Sequence, residues 1–388
     1  MARIAVVAGP DAGHALPAIG VGAALVAAGH DVRLFTGDAH GRTAQQHGLQ
    51  LESLPLLAAV EDDGDIGRRI WRRAAEMAPA LAATLDPWDP DLVVVDTLTR
   101  CGAFAAQLLD IPWVELIPHH LDDVADDLPP VGLGRPPASN RLRRWEDRWI
   151  IAAQRRSVAL GRRHALAAAR SIGLPGVRPP ARRLIGTLPA LERSRARWPD
   201  DAVLVGPLAV DPAGAPLVAP DGAAPLVVVT DSTASGVDRS IGAVALAGLR
   251  GLDLRLAVTS GWLEPSRAPG VVVGRGPHGP LLAAAALAVG PGGAGFVGKA
   301  ARAGVPIVTV PFQGDQPETA ARLREQGAGR TLPVRGLTPR RLRWAVVRHL
   351  ADADARRAAA VLAEQARAFG PARTARAVVD VIADADGR

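Results

Sequence analysis

The sequence is poor in the residues that build cross-links and soft-metal sites. Its 388 residues include one cysteine, two methionines, a single lysine and no tyrosine. Because Cys101 stands alone, the chain can form neither an internal disulfide framework nor a cysteine metal site. Cys101 begins an apolar helical segment, so we expect it to be a small core residue.

Long runs of strongly hydrophobic residues are also missing. No such run near 18 residues is free of charge, and the first residues, MARIAVVAG, are typical of a strand rather than of a leader peptide. We therefore expect a cytoplasmic protein with no membrane partner.

Lysine is nearly absent, so the formal charge of +6 comes almost entirely from arginine. The arginines between Arg135 and Arg197 alternate with Ala, Leu and Trp at helical spacing and are interleaved with acidic residues. This pattern favours a solvated helix face over a nucleic-acid-binding stripe, so no nucleic-acid partner is predicted.

What is present is the composition of a soluble globular protein, with 48% hydrophobic and 22% charged residues. A chain of this length exceeds a comfortable single core, so two domains are expected. The bias towards Ala, Arg, Gly and Pro indicates a GC-rich genome.

The first half alternates strand-like and helix-like segments, the pattern of a doubly wound parallel sheet. Strands are predicted at residues 3–8, 31–36, 51–54, 92–96 and 113–117, and helices at 14–28, 42–47, 66–85 and 101–109. Ligands of such sheets bind beyond the carboxyl ends of the strands. His14 and Asp96 each follow such an end, so we expect them to share one edge.

The second half repeats the alternation. Two arginine-rich helices are predicted within residues 140–172, and the proline-rich residues 203–225 are interpreted as a linker. Further strands are predicted at residues 226–230, 255–259 and 271–273, with a helix between Gly236 and Leu249 and helical segments at 338–368 and 372–383. Two similar open sheets result.

One βαβ unit, LAVGPGGAGFVGKAARAGVPIVTVPFQGDQ from Leu287 to Gln316, has a glycine turn before its helix. Such a turn aims free backbone N–H groups and the positive end of the helix dipole at one crevice, which suits an anion. The same residues partly fit a dinucleotide fingerprint and a phosphate loop, although Ala300 replaces the hydroxyl residue that would hold Mg²⁺. A turn that serves only close helix–strand packing is a further alternative.

The order of these segments resembles that of GT-B glycosyltransferases that decorate natural products in actinobacteria, within the large family that includes the UDP-glycosyltransferases. The resemblance extends over almost the whole chain and rests on Gly13-His14, AAGHDVRLFTG, the segment ending at Asp96, Trp198-Pro199, Val205-Gly206-Pro207, Ser232-Thr233, Pro277-His278, Gly292-Gly293-Ala294-Gly295 and AGVPIVTVPFQGDQ.

This resemblance implies an α/β GT-B fold, in which two doubly wound Rossmann-like domains face each other across a cleft. Residues 1–207 would bind the acceptor, 208–224 would be the linker, 225–369 would bind the nucleotide sugar, and 370–388 would form a helix crossing back to the first domain.

The resemblance also implies the chemistry. His14 would be the general base for an inverting transfer, and Asp96 would hold its tautomer. The alternatives without catalysis are that His14 only caps or lines a helix start and that Asp96 only caps the next turn. A nucleotide-diphosphate sugar would be the co-substrate, with no metal or other cofactor, held by Ser232, Thr233, Arg275, Gly292, Gly293, Ala294, Gly295, Lys299, Asp315 and Gln316. The acceptor would be a hydrophobic small molecule, and the protein a monomer or homodimer.

Five donor-side positions depart from the family pattern. The usual His, Ser or Thr, Glu, Trp and Gly are replaced by Pro291, Phe296, Lys299, Arg275 and Asp231. One hypothesis is a glycosyltransferase that uses an uncommon deoxysugar donor. Another is an enzyme that has lost nucleotide-sugar binding and uses His14 and Asp96 for cyclisation, elimination or isomerisation, and a third is a non-catalytic auxiliary protein.

Overall fold

The computed structural model describes residues 1–54, 66–232 and 239–386. Two seven-stranded sheets are present, so the prediction of two doubly wound α/β units is confirmed. No helix within these residues is long and apolar enough to cross a bilayer.

The first sheet is entirely parallel, with strand order β3-β2-β1-β4-β5-β6-β7. Its strands are β1 Arg3–Val7, β2 Asp31–Thr36, β3 Gln50–Ser53, β4 Leu92–Asp96, β5 Trp113–Ile117, β6 Arg182–Ile185 and β7 Ala202–Leu204. Its helices are α1 Ala12–Ala27, α2 Gly41–Gln46, α3 Ile66–Leu85, α4 Cys101–Leu108 and α5 Arg141–Ser171.

The second sheet has the order β10-β11-β9-β8-β12-β13-β14 and is parallel except at β10. Its strands are β8 Leu226–Thr230, β9 Arg255–Thr259, β10 Ser266–Ala268, β11 Val271–Gly274, β12 Leu287–Gly290, β13 Ile307–Thr309 and β14 Gly329–Thr331. Its helices are α6 Ile241–Leu249, α7 Gly279–Ala283, α8 Ala294–Ala303, α9 Gln316–Glu325, α10 Pro339–Leu350 and α11 Ala353–Arg367, and they are followed along the chain by α12 Pro371–Asp386.

Two parts of the sequence analysis need correction. The arginine-rich segment is one continuous helix, α5, rather than two, because Gly161 interrupts the helical period without ending it. The segment interpreted as a linker begins inside β7, an edge strand of three residues that is too short to give a periodic signal.

The last helix packs against the first sheet. Ala375, Val378 and Val381 of α12 share a buried cluster with Ile4 of β1 and Ile19 of α1. Apolar burial of this kind joins the end of the chain to its beginning.

A close approach positions the first sheet's functional edge. β1 and β4 are neighbours, with Val7 opposite Val95, so the two strands end at the same level. A Cβ at Gly102 would lie 3.0 Å from Val95 and 3.1 Å from Val7, so glycine lets α4 begin directly against both strands.

Candidate active site

The two residues expected at the first sheet's edge are in contact. Asp11 is the extended residue directly before α1, which places His14 in the helix's first turn, and Asp96 is the last residue of β4. His14 Nδ1 lies 2.8 Å from Asp96 Oδ1. Because a carboxylate only accepts hydrogen bonds, Nδ1 carries the proton and Nε2 is left as the basic nitrogen of the neutral ring.

The carboxylate of Asp96 has two functions. Its side chain is fully buried, and its second oxygen accepts hydrogen bonds from Leu98 N at 3.1 Å and from Thr99 Oγ1 at 3.2 Å. Capping the turn before α4 and holding His14 are therefore not alternatives. The cap fixes the carboxylate, and the fixed carboxylate orients the imidazole.

Electrostatics favour a proton on His14. Burial lowers the pKa of the imidazole, but the hydrogen bond to Asp96 and the charge of Asp96 outweigh it, with smaller contributions from Asp11 and Asp315. The pKa of His14 is therefore raised above its ordinary value. The His14 side chain keeps 22% of its surface exposed, and none of the described residues hydrogen-bonds to its Nε2.

The glycine turn of the second sheet delivers α8 to the same region. Gly292 has φ of +88°, a conformation that favours glycine, and Gly293 is the residue before the helix. The first helical N–H group, that of Ala294, donates to Asp315 Oδ2 at 2.9 Å. The carboxylate of Asp315 is thus hydrogen-bonded to the first amide of the predicted diphosphate turn. The same carboxylate lies near enough to raise the pKa of His14.

Gln316 has a local structural contact. Its Oε1 accepts hydrogen bonds from Phe312 N at 2.8 Å and from Gln313 N at 3.4 Å, and the residue is buried at the start of α9. These bonds fix the loop that carries Asp315. The amide oxygen is therefore already engaged inside the protein.

The chain's only lysine is also engaged. Lys299 Nζ lies 2.7 Å from Asp211 Oδ1, and the side chain is largely buried. Asp211 also accepts from the backbone N–H groups of His278 and Gly279 at the start of α7. Burial raises the pKa of the Asp211 carboxyl, but the hydrogen bond and charge of Lys299, together with the two backbone N–H groups, outweigh burial and leave that pKa lowered. Sequence reasoning missed Asp211, since a lone acid in a proline-rich segment carries no signal.

Three of the five departures from the family pattern, at Lys299, Phe296 and Asp231, have structural explanations. Phe296 packs its ring edge-to-face on His278, at 5.1 Å between centroids, in the core beneath α8. Burial, followed by the charge of Lys299, lowers the pKa of His278 to about 4, so this imidazole is neutral. Arg275 is exposed and donates to Gly261 O at 3.2 Å.

Asp231 does not point a free charge at a ligand. The buried carboxylate accepts from Ser260 Oγ at 2.6 Å, from Ser240 Oγ at 3.0 Å and from Gly242 N at 3.0 Å, so it caps α6. Ser232, the next residue, is buried, and its carbonyl accepts from Trp262 Nε1 at 3.4 Å. Thr233 lies outside the described residues.

The site combines an acid–base pair at the edge of the first sheet with the N-terminus of a helix from the second sheet. His14 and Asp96 come from the first sheet, and Ala294 and Asp315 from the second. No group of three His, Cys, Asp or Glu residues within the described ranges has the arrangement of a metal site.

Solved structures with this architecture define the class. The glycotransferase of kitacinnamycin superposes with a TM-score of 0.75 at 22% identity, covering 98% of this chain and 99% of that one. A spinosyn rhamnosyltransferase complexed with thymidine diphosphate gives a TM-score of 0.69 at 20% identity, covering 97% and 99%. The predicted GT-B fold is confirmed.

Sequence comparison then shows the family. Residues 265–381 match the family described as Erythromycin biosynthesis protein CIII-like, C-terminal domain. The chain is 30% identical to 4'-demethylrebeccamycin synthase of Lentzea aerocolonigenes, covering 89% of this chain and 91% of the relative. It is 28% identical to L-demethylnoviosyl transferase of Streptomyces niveus, covering 93% and 97%. The chain belongs to this family of antibiotic glycosyltransferases and is a glycosyltransferase of natural-product biosynthesis.

Proposed function

We propose that this glycosyltransferase moves a sugar from a nucleoside diphosphate to a hydroxyl of a hydrophobic small molecule, with inversion and without a metal. The observation that carries the proposal is the His14–Asp96 contact of 2.8 Å with Nε2 left without a partner among the described residues. A base held in one tautomer by a buried acid is suited to deprotonating an attacking hydroxyl.

The reaction follows from these positions. His14 Nε2 takes the proton of the acceptor hydroxyl as that oxygen bonds to the anomeric carbon. The bond from the anomeric carbon to the diphosphate oxygen breaks, and the diphosphate leaves with its electron pair. Attack opposite the leaving group inverts the anomeric centre. Asp96 stabilises the imidazolium, since its carboxylate accepts the hydrogen bond from Nδ1–H throughout the reaction.

Backbone amides at the start of α8 would stabilise the leaving diphosphate, as the helix dipole favours negative charge there. The carboxylate of Asp315 already accepts a hydrogen bond from the first of these amides, that of Ala294. A diphosphate therefore has to displace the carboxylate of Asp315, which is then free to accept hydrogen bonds from sugar hydroxyls.

The relatives support these finer assignments. One relative is named as an L-demethylnoviosyl transferase, and a structure of similar fold was solved with thymidine diphosphate. Spinosyn rhamnosyltransferase was also solved with spinosyn aglycone. We extend this to a thymidine-diphosphate deoxysugar donor and a hydrophobic aglycone acceptor. The relatives' names favour sugar transfer over a cyclisation, an elimination or an auxiliary role.

Calorimetric titration with TDP, UDP and GDP tests the donor. We expect micromolar affinity for TDP, and about tenfold tighter binding by Pro291→His, since histidine adds one hydrogen bond to a charged group. Pro137→His, at an exposed proline in the first half, is the control and leaves affinity unchanged.

Failure of all three nucleotides to bind the natural protein, with binding restored by Pro291→His, would overturn the nucleotide-sugar proposal. The search for a substrate would then turn to activated sugars without a nucleotide.

A further inference from the structure

The outer face of α5 is apolar. Leu142, Trp145 and Trp149 are 66%, 57% and 60% exposed, and their spacing places them on one side of the helix. The buried Asp147 and Ile151 lie on the side that packs against the protein. The apolar side chains therefore form a stripe on the face that points away from the core.

The two tryptophans contact each other rather than the core. Their rings meet edge-to-face with 5.9 Å between centroids. Two exposed indoles beside an exposed leucine form a contiguous patch, in contrast to singly scattered apolar residues, which need no explanation. The patch is preorganised for a partner that accepts large aromatic side chains.

Positive charge borders this stripe. Arg141, Arg144 and Arg148 are exposed, and within the described residues none has a carboxylate at ion-pair distance. The two acids in the same turns, Glu146 and Asp147, are both held by Arg135. The surface around the tryptophans is therefore positively charged.

We propose that the first three turns of α5 dock on an anionic lipid bilayer, with the helix lying in the plane of the interface. Tryptophan and leucine enter the boundary between headgroups and acyl chains, and the arginines reach lipid phosphates along their apolar stems. This departs from the expectation of no membrane partner. It places the half of the protein that carries His14 beside a phase in which a hydrophobic acceptor dissolves.

Other occupants fit the surface less well. A second copy of α5 would bring unpaired arginines against unpaired arginines, which costs free energy. A single-stranded nucleic acid would use the arginines and stack bases on the indoles, but it would leave Leu142 without a matching surface. An anionic bilayer matches both the charge and the apolar stripe.

Sedimentation with vesicles tests this proposal. Equimolar phosphatidylcholine and phosphatidylglycerol should retain the full-length protein, pure phosphatidylcholine should not, and added salt should weaken retention. The double variant Trp145→Gln/Trp149→Gln should bind about tenfold more weakly, since it removes the apolar anchors. Trp344→Gln is the matched control, because Trp344 is 52% exposed and also lies beside two arginines, on α10.

Quenching of tryptophan fluorescence by brominated lipid provides a second readout and should fall in the double variant but not in Trp344→Gln. Unchanged melting temperatures would show that the variants are folded. Absence of vesicle binding, or equal loss in Trp344→Gln, would overturn the proposal. Self-association or RNA binding that needs Trp145 and Trp149, without vesicle binding, would overturn it in favour of that partner.

Discussion

The two sides of the site differ in how far their charged groups are engaged in hydrogen bonds and ion pairs within the protein. On the first sheet, Asp96 is buried and hydrogen-bonded, and it orients His14 so that the second ring nitrogen has no partner among the described residues. On the second sheet, Lys299 is tied to Asp211, and the carboxylate of Asp315 covers the first amide of α8. The base is preorganised without a ligand, whereas the anion site is partly occupied by the protein itself.

This difference indicates which groups can contribute to the binding of a diphosphate. Lys299 cannot neutralise a diphosphate without giving up Asp211, and Asp231 is committed to capping α6. Among the described residues, the backbone amides of α8 and the exposed Arg275 are groups that the second sheet offers an anion. The His14 side should therefore be sensitive to substitution in rate, and the α8 side in affinity.

The largest effect is expected at His14. His14→Ala should lower kcat by about 10³-fold, because it removes the general base, while leaving TDP affinity unchanged. His47→Ala, a substitution in the turn after α2, is the control. Mass spectrometry measures kcat of the natural protein and of both variants, with the sugar donor whose nucleotide is identified by titration. If His14→Ala also lost TDP binding, the proposal that the His14 side determines rate and the α8 side determines affinity would be wrong.

Asp96→Asn should lower kcat by about 10²-fold and move the acidic limb of the pH–rate profile to lower pH. A base works unprotonated, so the rate falls as pH drops below its pKa, and Asp96 raises that pKa. Without the charge of Asp96, burial dominates and the pKa of His14 falls. An NMR titration, with the His14 signal assigned from His14→Ala, checks this without substrate. An unmoved pKa would contradict the role given to Asp96.

The sequence predicted those features that depend on local periodicity. Strand 31–36 begins with alternating charged and apolar residues, strand 92–96 is an apolar run that ends in an acid, and both were predicted at their observed bounds. The meeting of His14 and Asp96 was also foreseeable, since parallel strands bring their carboxyl ends to one edge.

What the sequence could not show is which charges neutralise each other across long separations. Lys299 and Asp211 are 88 positions apart, and no local pattern connects them. The bond from Ala294 N to Asp315 spans 21 residues and depends on how the loop after β13 folds back. Short edge strands such as β7 were missed for a related reason, since three residues give no period.

Asp231 tests whether the second sheet's charges serve the fold. Asp231→Ala should lower the free energy of unfolding by about 3 kcal/mol, because three donors, two of them buried, lose their acceptor. Urea denaturation measures this, and Asp253→Ala, at an exposed carboxylate, should have little effect. If the variant instead remains stable and binds TDP more tightly, the carboxylate faces the nucleotide and its capping role is wrong.

The smallest effect is expected at Asp315, and it sharpens the comparison most. Asp315→Asn keeps an acceptor for Ala294 N but removes a negative charge from the start of α8. TDP then competes with a neutral amide, so its affinity should rise about threefold, the size of a helix-terminus charge effect. Asp221→Asn, an exposed site with the same change of charge, controls for net charge.

TDP without a sugar is the right probe, because a sugar donor would also report any hydroxyl contact of Asp315. The same substitution should lower the pKa of His14, since the charge of Asp315 raises it. The two measurements together identify one carboxylate acting on both sides of the site. Weaker TDP binding by Asp315→Asn would show that the carboxylate supports the nucleotide instead of competing with it. The anion site would then be preformed, and the contrast with the His14 side would disappear.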